Sequence, residues 1–153
     1  MRIVQANTPR RIALTRALFE EYVAWLGIDL SFQGFADELV TLPGLYAPPH
    51  GRLLLALAAG EAVGCTALRP LEDAVCEMKR LYVRPRFRGQ GIGMLLARRI
   101  VEEARAIGYL TMKLDTLPSM QAAIRLYQTL GFNQCAAYYE TPLPDTVFME
   151  LRL

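Results

Sequence analysis

Leu81-Tyr82-Val83-Arg84-Pro85-Arg86-Phe87-Arg88-Gly89-Gln90-Gly91-Ile92-Gly93-Met94 is the stretch on which the fold turns. A strand ends at Val83, Pro85 blocks its continuation, and three glycines lead directly into a helix. From Ile92 the apolar residues Leu96, Ile100, Ala104 and Ile107 recur at the spacing of one helix face, which predicts a helix over Ile92 to Ile107. Glycines let the main chain approach an anion with no Cβ in the way. The first amides of a helix lack partners and carry the positive end of its dipole, so a diphosphate is a natural ligand for this turn.

Taken alone, a glycine-rich turn between strand and helix fits a structural bend, a nucleotide site or a dinucleotide site. The dinucleotide pattern Gly-x-Gly-x-x-Gly fails, because Met94 and Leu96 stand where its third glycine belongs. The Gly-Lys-Ser/Thr of nucleotide hydrolases is absent.

Outward from this turn, the pattern reads as one α/β chain. Arg2 to Gln5 is a short strand, Pro9 to Leu26 a helix stopped by Gly27, and Gln33 to Leu42 a second, shorter helix. Arg52 to Ala58 and Ala62 to Arg69 form a hairpin about Gly60-Glu61, and Val75 to Val83 is the next strand. After the long helix come a strand at Thr111 to Thr116 and a helix at Met120 to Leu130 closed by Gly131. Ser119 is a candidate cap for that helix. Strands at Asn133 to Tyr139 and Thr146 to Leu151 complete a single mixed sheet of about six to seven strands flanked by helices.

The 153 residues fit one domain, residues 1–153, and 53% of them are apolar, enough for a core without disulfide or metal staples. A net charge of +2 argues against nucleic-acid binding through overall charge. Cys65, Cys76 and Cys135 are odd in number and lack CxxC spacing, so they read as buried thiols of a reducing compartment. The single histidine, His50, makes a histidine-based metal site improbable. No signal-peptide pattern and no apolar run of about 20 residues is present, so the expectation is a cytoplasmic protein without a membrane span.

Arg88-x-x-Gly91-x-Gly93 after a strand resembles the phosphate-binding signature of the GCN5-related N-acetyltransferases (GNAT). The preceding Glu77-Met78-Lys79-Arg80-Leu81-Tyr82-Val83 is similar to that family's fourth strand. Ala123-Ile124-Arg125-Leu126-Tyr127-Gln128-Thr129-Leu130-Gly131-Phe132 is similar to its tyrosine helix and closing Gly-Phe. The resemblance implies transfer of an acetyl group from acetyl-CoA to an amine by direct attack in a ternary complex, with no metal. It implies that the amides of Arg88, Gly89, Gln90, Gly91, Ile92, Gly93 and Met94 hold the pyrophosphate of coenzyme A. The stretch Leu81, Tyr82 and Val83 would pair with the pantetheine arm through its main chain. Arg80, Arg84, Arg86 and Arg88 would serve the phosphates.

The resemblance also implies two catalytic side chains. Glu77 is placed to accept the proton of the attacking ammonium, a role that removal of water from a carboxylate favours; a strand glutamate paired with Lys79 or Arg69 is the alternative. Tyr127 would donate to the departing thiolate or orient it, and it also fits a buried helix face. Met120 stands where relatives often carry asparagine. Cys76 and Cys135 lack a nearby histidine to activate them as acetyl carriers, so packing is the better reading.

The acceptor side falls to the first two helices and to the loops Leu42 to Gly51 and Tyr138 to Asp145. Tyr22, Trp25, Phe32, Tyr46, Tyr138 and Tyr139 lie there among Glu20, Glu21, Asp29, Asp37, Glu38, Glu140 and Asp145. These suit a small cationic amine, while Arg52 and Arg69 could equally receive a substrate carboxylate, as in an amino-acid-like acceptor. A protein or peptide amine, or an acyl-CoA sensor without turnover, are the alternative readings. Late strands of the family pair across dimers, so Val147 to Leu151 suggests a homodimer.

Overall fold

The computed structural model describes all 153 residues. Eleven strands and helices position the site: β1 (Arg2–Gln5), α1 (Pro9–Leu26), α2 (Phe35–Thr41), β2 (Arg52–Ala58), β3 (Glu61–Glu72), β4 (Val75–Val83), α3 (Ile92–Ile107), β5 (Thr111–Thr116), α4 (Gln121–Thr129), β6 (Asn133–Gln134) and β7 (Val147–Arg152), with 3-10 turns at Ser31–Gln33, Gly44–Tyr46 and Pro85–Phe87. The strands form one seven-stranded sheet in the order β1-β2-β3-β4-β5-β7-β6. Only β4 and β5 run parallel, and α3 makes the crossover between them.

Burial follows the pleat. Leu54 and Ala56 face the cluster built with α3 and α4, while Leu53, Leu55 and Leu57 face the cluster built with α1. Both faces of β2 are therefore dry, which explains its nearly unbroken apolar run. On α3, Leu96, Ile100 and Ala104 are wholly buried, the stripe expected from their spacing.

The sheet parts in its middle. Parallel pairing of β4 with β5 covers only Val75, Cys76 and Glu77 against Thr111, Met112 and Lys113. Beyond that, Arg80 adopts a φ of 62° and the β3–β4 register slips between Cys65 and Ala67. A bulge of this kind bends β4 away from β5 and leaves a wedge between the two strands.

Three boundaries differ from the sequence reading. The second helix begins at Phe35, because Gly34 at φ 69° turns the chain out of the preceding 3-10 turn. The strand foreseen over Asn133 to Tyr139 lasts two residues. The chain then leaves the sheet and turns the Tyr138 and Tyr139 hydroxyls inward onto carboxylates. β3 runs on to Glu72, its register with β4 slipping between Pro70 and Glu72, where proline has no N–H to give the ladder. The α4 cap is also corrected: Met120 occupies the N-cap position, and no side chain, Ser119 included, caps the helix.

β7 is hydrogen-bonded to β5 on one side and to β6 on the other. On the outer side β6 pairs only with Met149 and Glu150, so β6 covers just part of the strand named for the dimer.

A Cβ on Gly64 would lie 2.8 Å from the Tyr82 carbonyl oxygen and 3.1 Å from Leu96 Cδ1. Gly64→Ala is therefore expected to destabilise the protein by about 1–3 kcal/mol, measured as a fall in the denaturant midpoint with unchanged m-value.

Candidate active site

The loop after β4 is built as the glycines suggest. Gly91 caps α3 at φ 80°, a left-handed conformation that a side chain with a Cβ strains. The first helical bond runs from the Leu95 amide to the Gly91 carbonyl, and the Arg88 amide is used by Pro85. The amides of Gly89, Gln90, Gly91, Ile92, Gly93 and Met94 donate to no protein acceptor. All of these residues but Gln90 edge a groove of about 440 Å³ whose walls include Leu81, Tyr82, Val83, Ser119 and Leu126. A row of free amides at a sixteen-residue helix start is the donor set a diphosphate requires.

The arginines are placed differently from the expectation that they serve phosphates. Arg80 is buried and forms a two-pronged pair with Glu38, at 2.9 Å to each carboxylate oxygen. Arg84 pairs with Glu21 at 2.7 Å and Arg86 with Glu61 at 2.6 Å. Arg88 donates to the Val83 carbonyl at 2.9 Å and lies 4.4 Å from the Trp25 ring centroid. Its side chain braces the loop against α1 while its main chain stays with the groove.

A second cavity, about 50 Å³, opens where β4 and β5 part. Leu81 and Met120 line both spaces, so they stand at the junction of groove and cavity. Tyr127 lines the cavity from α4. It is 7% exposed, its hydroxyl makes no protein hydrogen bond, and burial holds its pKa far above the ordinary phenol value. Such a hydroxyl keeps its proton and is an uncommitted donor. Tyr22, across the cavity, has its pKa pushed up to about 12 by burial.

Glu77 sits in the setting named as its alternative, a strand glutamate paired with Arg69 and Lys79. It is 1% exposed and lines neither space. Its Oε1 accepts from Arg69 Nε at 2.7 Å and its Oε2 from the Tyr138 hydroxyl. The alternation of β4 puts Glu77 and Lys79 on the face opposite Cys76 and Met78, with Lys79 Nζ 3.9 Å from Glu77 Oε1. Each carboxylate oxygen already holds a donor, and the side chain is buried outside both spaces.

The residues that do line the cavity with charge are Lys79, Arg80 and Asp115. Asp115 Oδ2 accepts from the Tyr139 hydroxyl at 2.6 Å, and Oδ1 has no protein partner. Lys79 donates to Gln33 Oε1 at 3.1 Å, and desolvation lowers its pKa. None of the acidic residues anticipated on the acceptor side lines this cavity; Glu21 and Glu38 are spent on arginines. Asp115 was legible in Thr111-Met112-Lys113-Leu114-Asp115-Thr116, where Met112 and Leu114 are core and period two sends Asp115 to the other face beside Lys79.

The aromatics divide. Tyr46 is core, set edge-on to Phe19, and Phe32 is exposed. Tyr22 and Trp25 reach the two spaces, and Tyr138 and Tyr139 act through their hydroxyls. Of the candidate carboxylate binders, Arg52 pairs with Glu103 and Arg69 with Glu77. Cys65 and Cys76 are buried, burial raising both thiols, whereas Cys135 is only partly covered. No helix is long and apolar enough to cross a membrane.

Comparison with known proteins converges on one family. The model of the acetyltransferase (GNAT) family matches residues 14–132. An uncharacterized N-acetyltransferase of Schizosaccharomyces pombe is 43% identical over 153 aligned residues, covering 99% of this chain and 94% of the relative. Among solved structures, a candidate acyl-CoA N-acyltransferase from Klebsiella pneumoniae superposes with a TM-score of 0.78 at 34% identity, covering 99% of this chain and 97% of that one. A GNAT acetyltransferase from Elizabethkingia anophelis, solved with acetyl-CoA bound, aligns over 67% of this chain and 76% of its own at a TM-score of 0.59 and 26% identity. The chain belongs to the GNAT family of N-acetyltransferases.

Proposed function

We propose that the protein transfers the acetyl group of acetyl-CoA to the primary amine of a small molecule that enters the cavity between β4 and β5. The observation that carries this reading is the junction at Leu81 and Met120, where a groove edged by five residues with unpaired amides meets a small charged cavity. The acetyl-CoA bound by the Elizabethkingia relative supports the choice of donor. Acetyl-CoA supplies the activated acyl carbon: the amine nitrogen bonds to it, the C–S bond breaks, and the proton lost by the amine balances the one gained by the thiol.

The chain's own groups divide the remaining tasks. The amides of Gly89 to Met94 hold the diphosphate, and the main chain of Leu81 and Val83, exposed by the bulge at Arg80, takes the pantetheine arm as an added strand. Tyr127, in the wall of the cavity with an uncommitted O–H, donates to the thiolate; its raised pKa favours a hydrogen bond over full proton release. Asp115, with Oδ1 unengaged, is the carboxylate that meets the amine. Glu77 is the negative anchor behind it, holding Arg69, Tyr138 and Lys79 in place. The modest cavity and its bridge from Gln33 to Tyr139 favour a small acceptor over a peptide.

Gly91→Val is expected to weaken CoA binding about tenfold or more, the effect of losing one hydrogen bond to a charged oxygen at about 1.5–3 kcal/mol. Titration calorimetry reads the affinity and circular dichroism confirms the fold; an unchanged Kd contradicts the loop's role. Tyr127→Phe is expected to lower kcat about a hundredfold with CoA affinity held, measured by thiol release at saturating acetyl-CoA. Equal losses in kcat and CoA affinity would mean that Tyr127 only supports the fold.

A further inference from the structure

Lys79 and Asp115 line one cavity with opposite charges, yet they form no ion pair with each other. The nearest carboxylate to Lys79 is Glu77 at 3.9 Å, already committed to Arg69 and Tyr138. Between the two charges runs a chain of neutral groups. Lys79 donates to Gln33 Oε1 at 3.1 Å, Gln33 Nε2 donates to Tyr139 Oη at 3.4 Å, and Tyr139 donates to Asp115 Oδ2 at 2.6 Å. Gln33 comes from the turn before α2 and Tyr139 from the loop before β7, so the chain of bonds also fastens two covering segments over the cavity.

Each charge is left partly unsatisfied. The ammonium of Lys79 has three N–H donors, its side chain is 6% exposed, and one neutral acceptor at 3.1 Å is shared with Arg80. Its counter-ion Glu77 stands at the far limit of pairing, 3.9 Å away, and is shared with Arg69, so burying the ammonium here is costly, and the lowered pKa agrees with that cost. Oδ1 of Asp115 has no protein partner. A wall with a spare cation and a spare carboxylate, kept apart by neutral spacers, complements a ligand with the reverse polarity.

Resting on the acetyl-transfer reading above, we propose that the acceptor is a small free amino acid, its carboxylate bound by Lys79 and its ammonium by Asp115 beside Tyr127. A simple amine would leave Lys79 with only Gln33 and the shared, more distant Glu77. A peptide N-terminus would offer a neutral amide where the carboxylate belongs, and an anion without an amine would leave Asp115 unpaired. Discrimination by a buried charge of this kind is steep, because the wrong ligand must leave it uncompensated.

The test compares free amino acids, their carboxamides, the amines left by removing the carboxyl group, and dipeptides in thiol release with acetyl-CoA. At least one amino acid should exceed its own carboxamide, amine and dipeptide by about tenfold or more in kcat/KM, the scale of one unpaired buried charge. Lys79→Met should erase that preference for the carboxylate, Lys79→Arg should restore part of it, and Asp115→Asn should weaken amino acid and carboxamide alike. Turnover of carboxamides, simple amines or dipeptides as fast as of amino acids overturns the inference and leaves acetyl transfer standing. CoA binding without turnover or calorimetric binding of any amino acid overturns it as well. Failure of CoA itself to bind is the distinct result that removes the underlying reading. If Lys79→Met melts early, the preference of the native protein among the four acceptor types decides alone.

Discussion

The parting of β4 from β5 is the constraint on which the rest of the molecule depends. Three residue pairs hold the parallel strands together, and then the left-handed Arg80 bends β4 away. A continuous ladder would bury the same backbone in hydrogen bonds and leave no room for a thioester. The interruption converts the centre of a stable sheet into a wedge with main-chain groups on one wall and Asp115 and Thr116 on the other. The cost of the bulge is met by packing around it: Arg80 is clamped by Glu38 and Gln33, and Phe35 lies 5.3 Å from its guanidinium carbon.

The two faces of β4 then acquire separate duties. Met78, Leu81 and Val83 belong with the α3–α4 side, where the glycine loop lies. Glu77 and Lys79 face α1 and the covering loops, where a polar layer of Arg69, Glu77, Tyr138, Lys79, Gln33, Tyr139 and Asp115 sits on an apolar sheet. Such a layer is stable when its members satisfy one another. Here most do, and the exceptions, Lys79, Asp115 Oδ1 and the Tyr127 hydroxyl, all line the same cavity. Free polar capacity concentrated at one point is what a site for a polar reactant requires.

Much of this was legible in the sequence because it depends on local signals. Pro85 with Gly89, Gly91 and Gly93 marks a turn with open amides, and the apolar stripe of α3 marks its helix. Those two features alone specify the loop, and the Tyr127-to-Gly131 spacing adds the helix across from it. The surroundings of Glu77 were legible in part: pairing with Arg69 on the neighbouring strand was within reach, but Tyr138, sixty-one residues away, is brought to it by tertiary packing. The same is true of the arginines, whose partners Glu21, Glu38 and Glu61 are set by tertiary packing. The short β6 could not be foreseen from propensity, because Asn133 to Tyr139 has strand-like residues whose tyrosines are drawn off by carboxylates on other strands. Strand alternation puts Asp115 on the face away from the core, and the fold brings that face to the cavity it shares with Lys79.

The central claim is that coenzyme A lies along the free amides of the glycine loop and the bent end of β4. Its most direct measurement is amide chemical-shift mapping of the nitrogen-15-labelled protein during titration with coenzyme A. The account predicts that the largest changes fall on Gly89 to Met94, followed by Leu81 to Val83, with the far end of the sheet at β1 undisturbed. Saturable shifts centred elsewhere, with the loop amides unmoved, would contradict it.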